Sequence, residues 1–308
     1  MAHMSIVVPV FRAEGTLREL YTRLRTVVCS INPDYEFVFV EDCGGDQSWD
    51  IILDICKTDA RVKAIRFSRN FGQHHGITAG IDHCDGNWVV VMDCDLQDQP
   101  EDIPRLYDKA QQGFDVVIGR RAERKDSAIK RFYSWCFYRV LGYLTDSIYD
   151  SRIGNFRIMS RRAMVQVRAM REQVRFFVGL VQWIGFPSAT IDVEHAERKG
   201  GKSTYTFAKQ WQLATDAMIA YSDKPLKLAI RLGFGTAFLS ISLGAGLIYG
   251  AFFHGRDWLT GWASLMVSIY FIGGVIIAIL GIIGVYLGKT FDEVKRRPIY
   301  VVRDTANL

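Results

Sequence analysis

The sequence predicts an α/β fold, a mostly parallel sheet covered by helices on both faces, followed by a two-helix C-terminal transmembrane hairpin. Two observations carry this expectation. In the first 120 residues short β-rich runs alternate with helical patterns, which implies parallel strands joined by helical crossovers. Near the C-terminus two charge-free apolar stretches are each long enough to cross a bilayer.

Taken in order, residues 5–10 form a first strand of five apolar residues after Ser5. Residues 16–30 follow as a helix with Leu17, Leu20, Leu24 and Val27 on one face. Residues 35–40 are a second strand that ends at Glu41 and Asp42. Residues 46–48 cap a helix bearing Ile51, Ile52 and Ile55. Strand 62–67, helix 74–83, strand 88–92, helix 100–111 and strand 114–119 complete the alternation. Residues 128–149 read as an aromatic helix, a core element or one at the membrane interface. Residues 211–221 read as a further helix ahead of the membrane part.

Residues 232–253 and 258–288 carry no charge, and the loop between them has only Arg256, balanced by Asp257. Glycines 244, 246 and 250 punctuate the first stretch and glycines 273, 274, 281 and 284 the second, as expected for close helix packing in a hairpin or an oligomer. Lys224, Lys227 and Arg231 precede the pair, and Lys289, Lys295, Arg296 and Arg297 follow it. By the positive-inside rule both ends lie in the cytoplasm. The expected organisation is a cloning scar at residues 1–4, a cytoplasmic catalytic domain at 5–210 and a juxtamembrane helix at 211–228. Two transmembrane helices at 229–288 (about 232–253 and 260–288) and a cytoplasmic tail at 289–308 complete it. Residues 299–302 suggest a short strand within that tail. The apolar run 6–10 is too short for a signal-peptide core. Six scattered cysteines with no Cys-x-x-Cys pair argue for reduced thiols rather than a structural zinc site. The net charge of +5 decides no function class by itself.

In a parallel sheet, ligands bind beyond the carboxyl ends of the strands. Asp42, Asp93 and the Arg120–Arg121 pair all fall at such ends. The strongest local signal is Asp93-Cys94-Asp95-Leu96-Gln97-Asp98, delivered by an apolar strand. Paired acids leaving a buried strand are costly unless they meet a cation, and their oxygens suit Mg²⁺ or Mn²⁺ bridging a diphosphate. Asp95 or Asp98 as a helix cap is the competing reading. Asp42 has the competing reading of a turn residue. His74 and His75, being adjacent, suit a loop or helix cap better than a shared metal.

Residues 5–11, Val40-Glu41-Asp42, Asn70-Phe71-Gly72-Gln73, residues 92–98, Gly119-Arg120-Arg121 and Gly154-Asn155-Phe156-Arg157 occur in an order that resembles the family-2 glycosyltransferases of GT-A fold. With two C-terminal spans the chain resembles their polyprenyl-phosphate branch, the bactoprenol glucosyltransferases and dolichol-phosphate mannosyltransferase-like enzymes. The resemblance implies a nucleotide-sugar site of Pro9, Phe11, Glu14, Asp42, Asn70, Asp93, Cys94 and Arg121. It implies Asp95 and Gln97, with Asp93, as metal ligands, and Arg198, Lys202 and Arg152 near the acceptor phosphate. Asp95, Asn155, Arg121 and Arg157 would carry the chemistry. One position departs from the pattern: relatives commonly read Asp-Val-Gly-Asp-Phe-Arg where this chain reads Arg152-Ile153-Gly154-Asn155-Phe156-Arg157. An amide is no base. A lipid monophosphate with a second pKa of about 6 is largely dianionic at neutral pH and needs positioning more than deprotonation. Asn155 is therefore expected to orient sugar or acceptor, with Arg152 or Arg157 supplying charge.

The expected reaction is inverting, metal-dependent transfer of a hexose from a UDP-sugar such as UDP-glucose to undecaprenyl or another polyprenyl phosphate. The alternatives are a GDP-mannose-dependent enzyme and a nucleotide-binding membrane scaffold without transferase activity. A homo-oligomer such as a tetramer is expected, and no nucleic-acid partner.

Overall fold

The computed structural model describes residues 3–121, 152–194, 196, 223–254 and 261–308. The chain divides into two compact units. The first holds residues 1–138, 149–207 and 298–308, and the second 139–148 and 208–297.

Within the first unit, β1 (Met4–Val10), β2 (Tyr35–Glu41), β3 (Val62–Phe67) and β4 (Trp88–Val91) alternate with α1 (Leu17–Ile31), α2 (Ser48–Thr58) and α3 (Gln73–His83). A 3₁₀ turn (Pro100–Asp102) leads into α4 (Ile103–Ala110), and β5 (Val116–Arg121) ends this stretch. Then come β6 (Ile153–Ser160), α5 (Arg161–Ala169), α6 (Phe177–Trp183) and β7 (Ser188–Val193). The sheet order is β7-β5-β6-β4-β1-β2-β3-β8, where β8 (Val302–Ala306) comes from the C-terminus.

Every residue of β1 and β2 is buried, the signature of strands covered on both faces. Alternation sorts their side chains into two cores. Ile6, Val8, Val10, Phe37 and Phe39 pack with α1, α2 and α4, and Val7, Val38 and Val40 pack with α3, α5 and α6. The α3 layer sits close to the sheet: a Cβ on Gly80 would lie 2.2 Å from Val7 Cγ1, so no larger residue fits there. Pro9 is tolerated in a central strand because the β1–β4 pairing ends at Val7 and Val91, so its missing N–H removes nothing from that ladder.

β1 to β4 run parallel, whereas β6 is antiparallel to both β4 and β5. The reversal was not expected from the sequence, and it brings the start of β6 to the carboxyl edge. β1 pairs with β2 on one side and β4 on the other, so the strand order reverses there and opens a crevice at their carboxyl ends.

The C-terminal residues are more than a tail. β8 covers the edge of β3 in antiparallel register, Tyr300 stacks on Phe67 at 5.2 Å, and its hydroxyl donates to Asp82 Oδ2 at 2.8 Å. Asn307 Nδ2 donates to the carbonyls of Cys56 and Val62. An otherwise exposed sheet edge is thereby paired.

In the second unit, α7 (Lys224–His254) and α8 (Trp262–Val294) are 31 and 33 residues long. At 1.5 Å per residue each exceeds the roughly 30 Å of a hydrocarbon core. Both are long and apolar enough to cross a membrane, and their apolar windows are almost wholly unburied. Phe234, Phe238, Ile241, Tyr270 and Ile277 are each more than 70% exposed, a surface water would not tolerate. α7 begins at Lys224, within the stretch 211–228 expected to form a separate helix, of which residues up to 222 lie outside the described ones. Of the glycines, a Cβ on Gly233 would lie 3.8 Å from Ile279 Cδ1, whereas one on Gly244, Gly246, Gly273, Gly274, Gly281 or Gly284 would meet nothing within 4 Å beyond its own helix turn. Those six do not pack the hairpin among the described residues. The aromatic stretch 128–149 also lies outside them.

Candidate active site

Three loops leave the carboxyl edge of the sheet, after β1, β2 and β4. Each carries a non-glycine residue in the left-handed region: Arg12 (φ 52°), Cys43 (φ 53°) and Leu96 (φ 60°). Such conformations cost of order 1–3 kcal/mol each and persist where the surroundings fix them, characteristically at ligand sites. Leu96 is anchored by its side chain, which is 1% exposed, while its neighbours Asp95 and Gln97 are half-buried.

Asp93 is the centre of the site. Its Oδ1 accepts from Gln73 Nε2 at 2.6 Å and from Asn155 Nδ2 at 3.3 Å. Burial, then the carboxylates of Asp98 and Asp95, push its carboxyl up to about 7. Asp95 Oδ1 accepts from the Gln97 N–H at 3.2 Å, and Thr16 Oγ1 donates to the Cys94 carbonyl at 2.8 Å. The following helical turns are capped by Gln99 and Asp102, so neither Asp95 nor Asp98 takes the capping position the sequence allowed. Burial pushes the Cys94 thiol up to about 12, so it is no nucleophile at neutral pH.

Arg121 closes the site from β5. Its Nε is 4.0 Å from Asp98 Oδ1 and, among the described residues, has no hydrogen-bond partner. Its guanidinium lies against Gly154, where a Cβ would be 3.3 Å from Nη2. Its backbone N–H donates to the Arg152 carbonyl at 3.1 Å, which brings Arg152 to the same edge.

The expected nucleoside residues divide. Both Asp42 carboxylate oxygens accept backbone N–H groups, from Phe71 at 2.6 Å and Gly72 at 2.8 Å, and Asn70 Nδ2 donates to the Asp42 carbonyl at 3.1 Å. Burial raises Asp42 to about 6 against those two N–H bonds. Asp42 and Asn70 thus bind the loop before α3. Glu14 Oε2 accepts from the Gln47 N–H, the N-cap of α2, and Pro9 is buried under Gly76. Phe11 is 36% exposed with Arg12 over its ring, the one member of the set offering an open aromatic face.

Arg157 is 1% exposed, donates to the carbonyls of Gly154 and Asn155, and lies over the Phe177 ring at 4.8 Å. Burial lowers its guanidinium to about 10. It braces the start of β6 through those two carbonyls and is near enough to Asp93 for that carboxylate to oppose the effect of burial. His74 and His75 stand in the first turn of α3 rather than at its cap, which is Gly72. Burial lowers His74 to about 4, so it is neutral. Arg198 and Lys202 lie outside the described residues.

The donor set suits a divalent ion. Burial first, and then the nearby Asp98 and Asp95 carboxylates, raise Asp93, and a cation would relieve both. Among the described residues no three His, Cys, Asp or Glu side chains form a ready cage, so much of such an ion's oxygen shell would come from substrate and water.

Comparison with known proteins fixes the family. The model of glycosyl transferase family 2 matches residues 5–168. The chain is 39% identical to an uncharacterised glycosyltransferase of Bacillus subtilis over 99% of this chain and 94% of that one. The chain belongs to glycosyl transferase family 2. It is also 33% identical to the SfII prophage-derived bactoprenol glucosyl transferase of Shigella flexneri, covering 97% of both chains. A solved structure of glucosyl-3-phosphoglycerate synthase from Mycobacterium tuberculosis, with Mn²⁺, uridine diphosphate and phosphoglyceric acid, shares the fold. Its TM-score is 0.52 at 13% identity, over 71% of this chain and 76% of that one.

This family-2 glycosyltransferase thus has the GT-A arrangement that the motifs implied. Sequence reasoning omitted Gln73 from the site although it stood in a quoted motif. Nothing local could show that the first residue of α3 reaches the end of β4. It also left Asp98, 2% exposed beside Arg121, as a cap.

Proposed function

We propose that the enzyme transfers a hexose, with inversion, from a UDP-sugar such as UDP-glucose to a polyprenyl phosphate at the cytoplasmic face of a membrane. The observation that carries this is the meeting of the Asp93–Asp95 loop, Asn155 and Arg121 at the switch point of the sheet, in a chain that also bears two long apolar helices. The bactoprenol glucosyl transferase likeness over nearly the full length supports the lipid acceptor.

Asp95 and Asp93, with Gln97, would hold Mg²⁺ or Mn²⁺. That ion would supply Lewis-acid stabilisation of the departing diphosphate. Arg121 offers its free Nε to a phosphate oxygen. An acceptor phosphate oxygen forms the new bond to the anomeric carbon as the bond from that carbon to the nucleotide's β-phosphate oxygen breaks. Attack opposite the leaving group inverts the centre. The acceptor phosphate arrives deprotonated, so no protein base is required and Asn155 serves by holding Asp93. Arg152, at the same edge, is the described residue suited to the acceptor phosphate, with Arg198 and Lys202 assigned there by the motif resemblance.

The chain leaves the catalytic unit, passes through α7 and α8, and returns to add β8 to the catalytic sheet. Two crossings satisfy that connectivity, with both helix ends on the catalytic side. The basic residues on those outer ends support a cytoplasmic position for that side by the positive-inside rule. The six open glycines leave room for neighbouring copies, consistent with a homo-oligomer.

Incubation with a panel of radiolabelled nucleotide sugars and undecaprenyl phosphate tests the reading. Lipid-phase label from a UDP-hexose, dependent on Mg²⁺ or Mn²⁺, is the expected result. Absence of label with every donor overturns it. Single cysteines replacing Lys224 and Arg297 should react with an impermeant thiol reagent from the same side, and labelling from opposite sides would refute the hairpin.

A further inference from the structure

We infer that Gln73 is a positioning residue for the transfer, the donor that sets the orientation of Asp93 and ties it to the β2 end of the site. The inference rests on the reading of Asp93 as part of a nucleotide-sugar site.

The chain of contacts starts at Asp42. Its two carboxylate oxygens take the N–H groups of Phe71 and Gly72, and its carbonyl takes Asn70 Nδ2. Gly72, at φ 98°, makes the turn that starts α3, a backbone state that disfavours any side chain. Gln73, the next residue, is thereby fixed at its Cα, and its Nε2 spans to Asp93 Oδ1 at 2.6 Å. Asn155, from the reversed strand β6, gives the same oxygen a second amide donor at 3.3 Å. Among the described residues no hydrogen bond occupies Asp93 Oδ2. Two amides from opposite sides therefore hold one oxygen and leave the other for the ligand.

Residue type matters here. A primary amide donates two hydrogen bonds and does not titrate, so it fixes a carboxylate without competing for its proton. A bond to a charged partner is also stronger than a neutral one. Gln73 has no part in binding the substrate on this account, and its effect passes wholly through Asp93. A residue that only supported the fold would change stability. A nucleotide-binding residue would change donor affinity. A positioning residue changes the rate at saturating donor.

The test uses detergent-solubilised full-length enzyme with Gln73→Met, which keeps side-chain length without the donor, and Gln73→Glu, which keeps the shape and replaces the donor by an acceptor. Each is expected to lower kcat roughly tenfold to a hundredfold, the worth of a hydrogen bond to a charged group. The donor KM should stay within about threefold and both variants should remain folded, with Gln73→Glu losing stability as pH rises because its carboxylate stands beside Asp93. Wild-type kcat in either folded variant overturns the inference, and so does a raised KM at constant kcat. If wild-type enzyme transfers sugar from no nucleotide donor, the proposed function has failed, and the clamp is judged separately by NMR. The Gln73 side-chain amide signals, assigned by their loss in Gln73→Met, should shift in Asp93→Ala. Unshifted signals overturn the clamp.

Discussion

Replacing Asn155 by Asp restores the carboxylate that the resembling motif carries and puts it beside Asp93. The Asn155 amide nitrogen is 3.3 Å from Asp93 Oδ1, and Asn155 is 9% exposed. Two unit charges at that separation repel by about 5 kcal/mol at an effective dielectric of about 20. The chain escapes part of this by keeping a proton. Holding one carboxyl neutral costs about 1.4 kcal/mol for each pH unit above its unfolded value of about 3.9. Because Asp93, pushed up to about 7, already keeps its proton below that pH in the wild type, the added carboxylate meets a neutral partner there, and the penalty relative to wild type opens above about pH 7 at about 1.4 kcal/mol per pH unit, toward the Coulomb limit of about 5 kcal/mol. The sign follows from the direction of the shift. A carboxyl raised on folding binds more protons in the folded state, so stability is lost as pH rises. Asp93, already pushed up to about 7, gives the wild type its own loss of the same sign between about pH 4 and 7, and the variant adds to it above that range. The assay is thermal or urea unfolding in detergent and chelator at pH 6 and pH 9. The gap between wild type and Asn155→Asp should widen at the higher pH and narrow when Mn²⁺ is added. A gap independent of pH would refute the reasoning.

Asp95→Ala should abolish sugar transfer and metal-dependent nucleotide binding by calorimetry while the protein stays folded in detergent, as read from thermal unfolding. Arg157→Met should cost about 2–4 kcal/mol in unfolding experiments, because it strands the Gly154 and Asn155 carbonyls that the guanidinium now satisfies. Any acceptor KM change should follow that loss of stability rather than precede it. Tyr300→Phe should cost about 1 kcal/mol through the lost bond to Asp82, and truncation after residue 297 should cost more by uncovering β3 and Phe67, both read from thermal unfolding.

Much of the donor half was legible in the sequence because it rests on local rules. A buried strand followed at once by Asp-x-Asp states both the element and its edge, and helices between the strands fix the parallel direction. The length and apolarity of 232–253 and 258–288 likewise need no tertiary knowledge to mark helices that exceed a bilayer's thickness. The divided fate of the nucleoside residues was not legible. Asp42 and Glu14 have the chemistry to meet a ligand, yet their carboxylates accept backbone N–H groups at the starts of α3 and α2, and only the fold brings those donors within reach.

By itself, then, the sequence determined the alternation of elements, the acidic loop after β4 and the two apolar helices, because each follows from periodicity, burial or length along the chain. The tertiary structure alone decided that β6 runs backwards between β4 and β5, which carries Asn155 to Asp93 across 62 residues. It alone decided that Arg157 faces inward and that the C-terminus returns as β8. The physical reason is the same in each case. Strand direction and side-chain orientation are settled by which edges and apolar faces remain to be covered once the rest of the sheet has formed, and that is a property of the assembled chain.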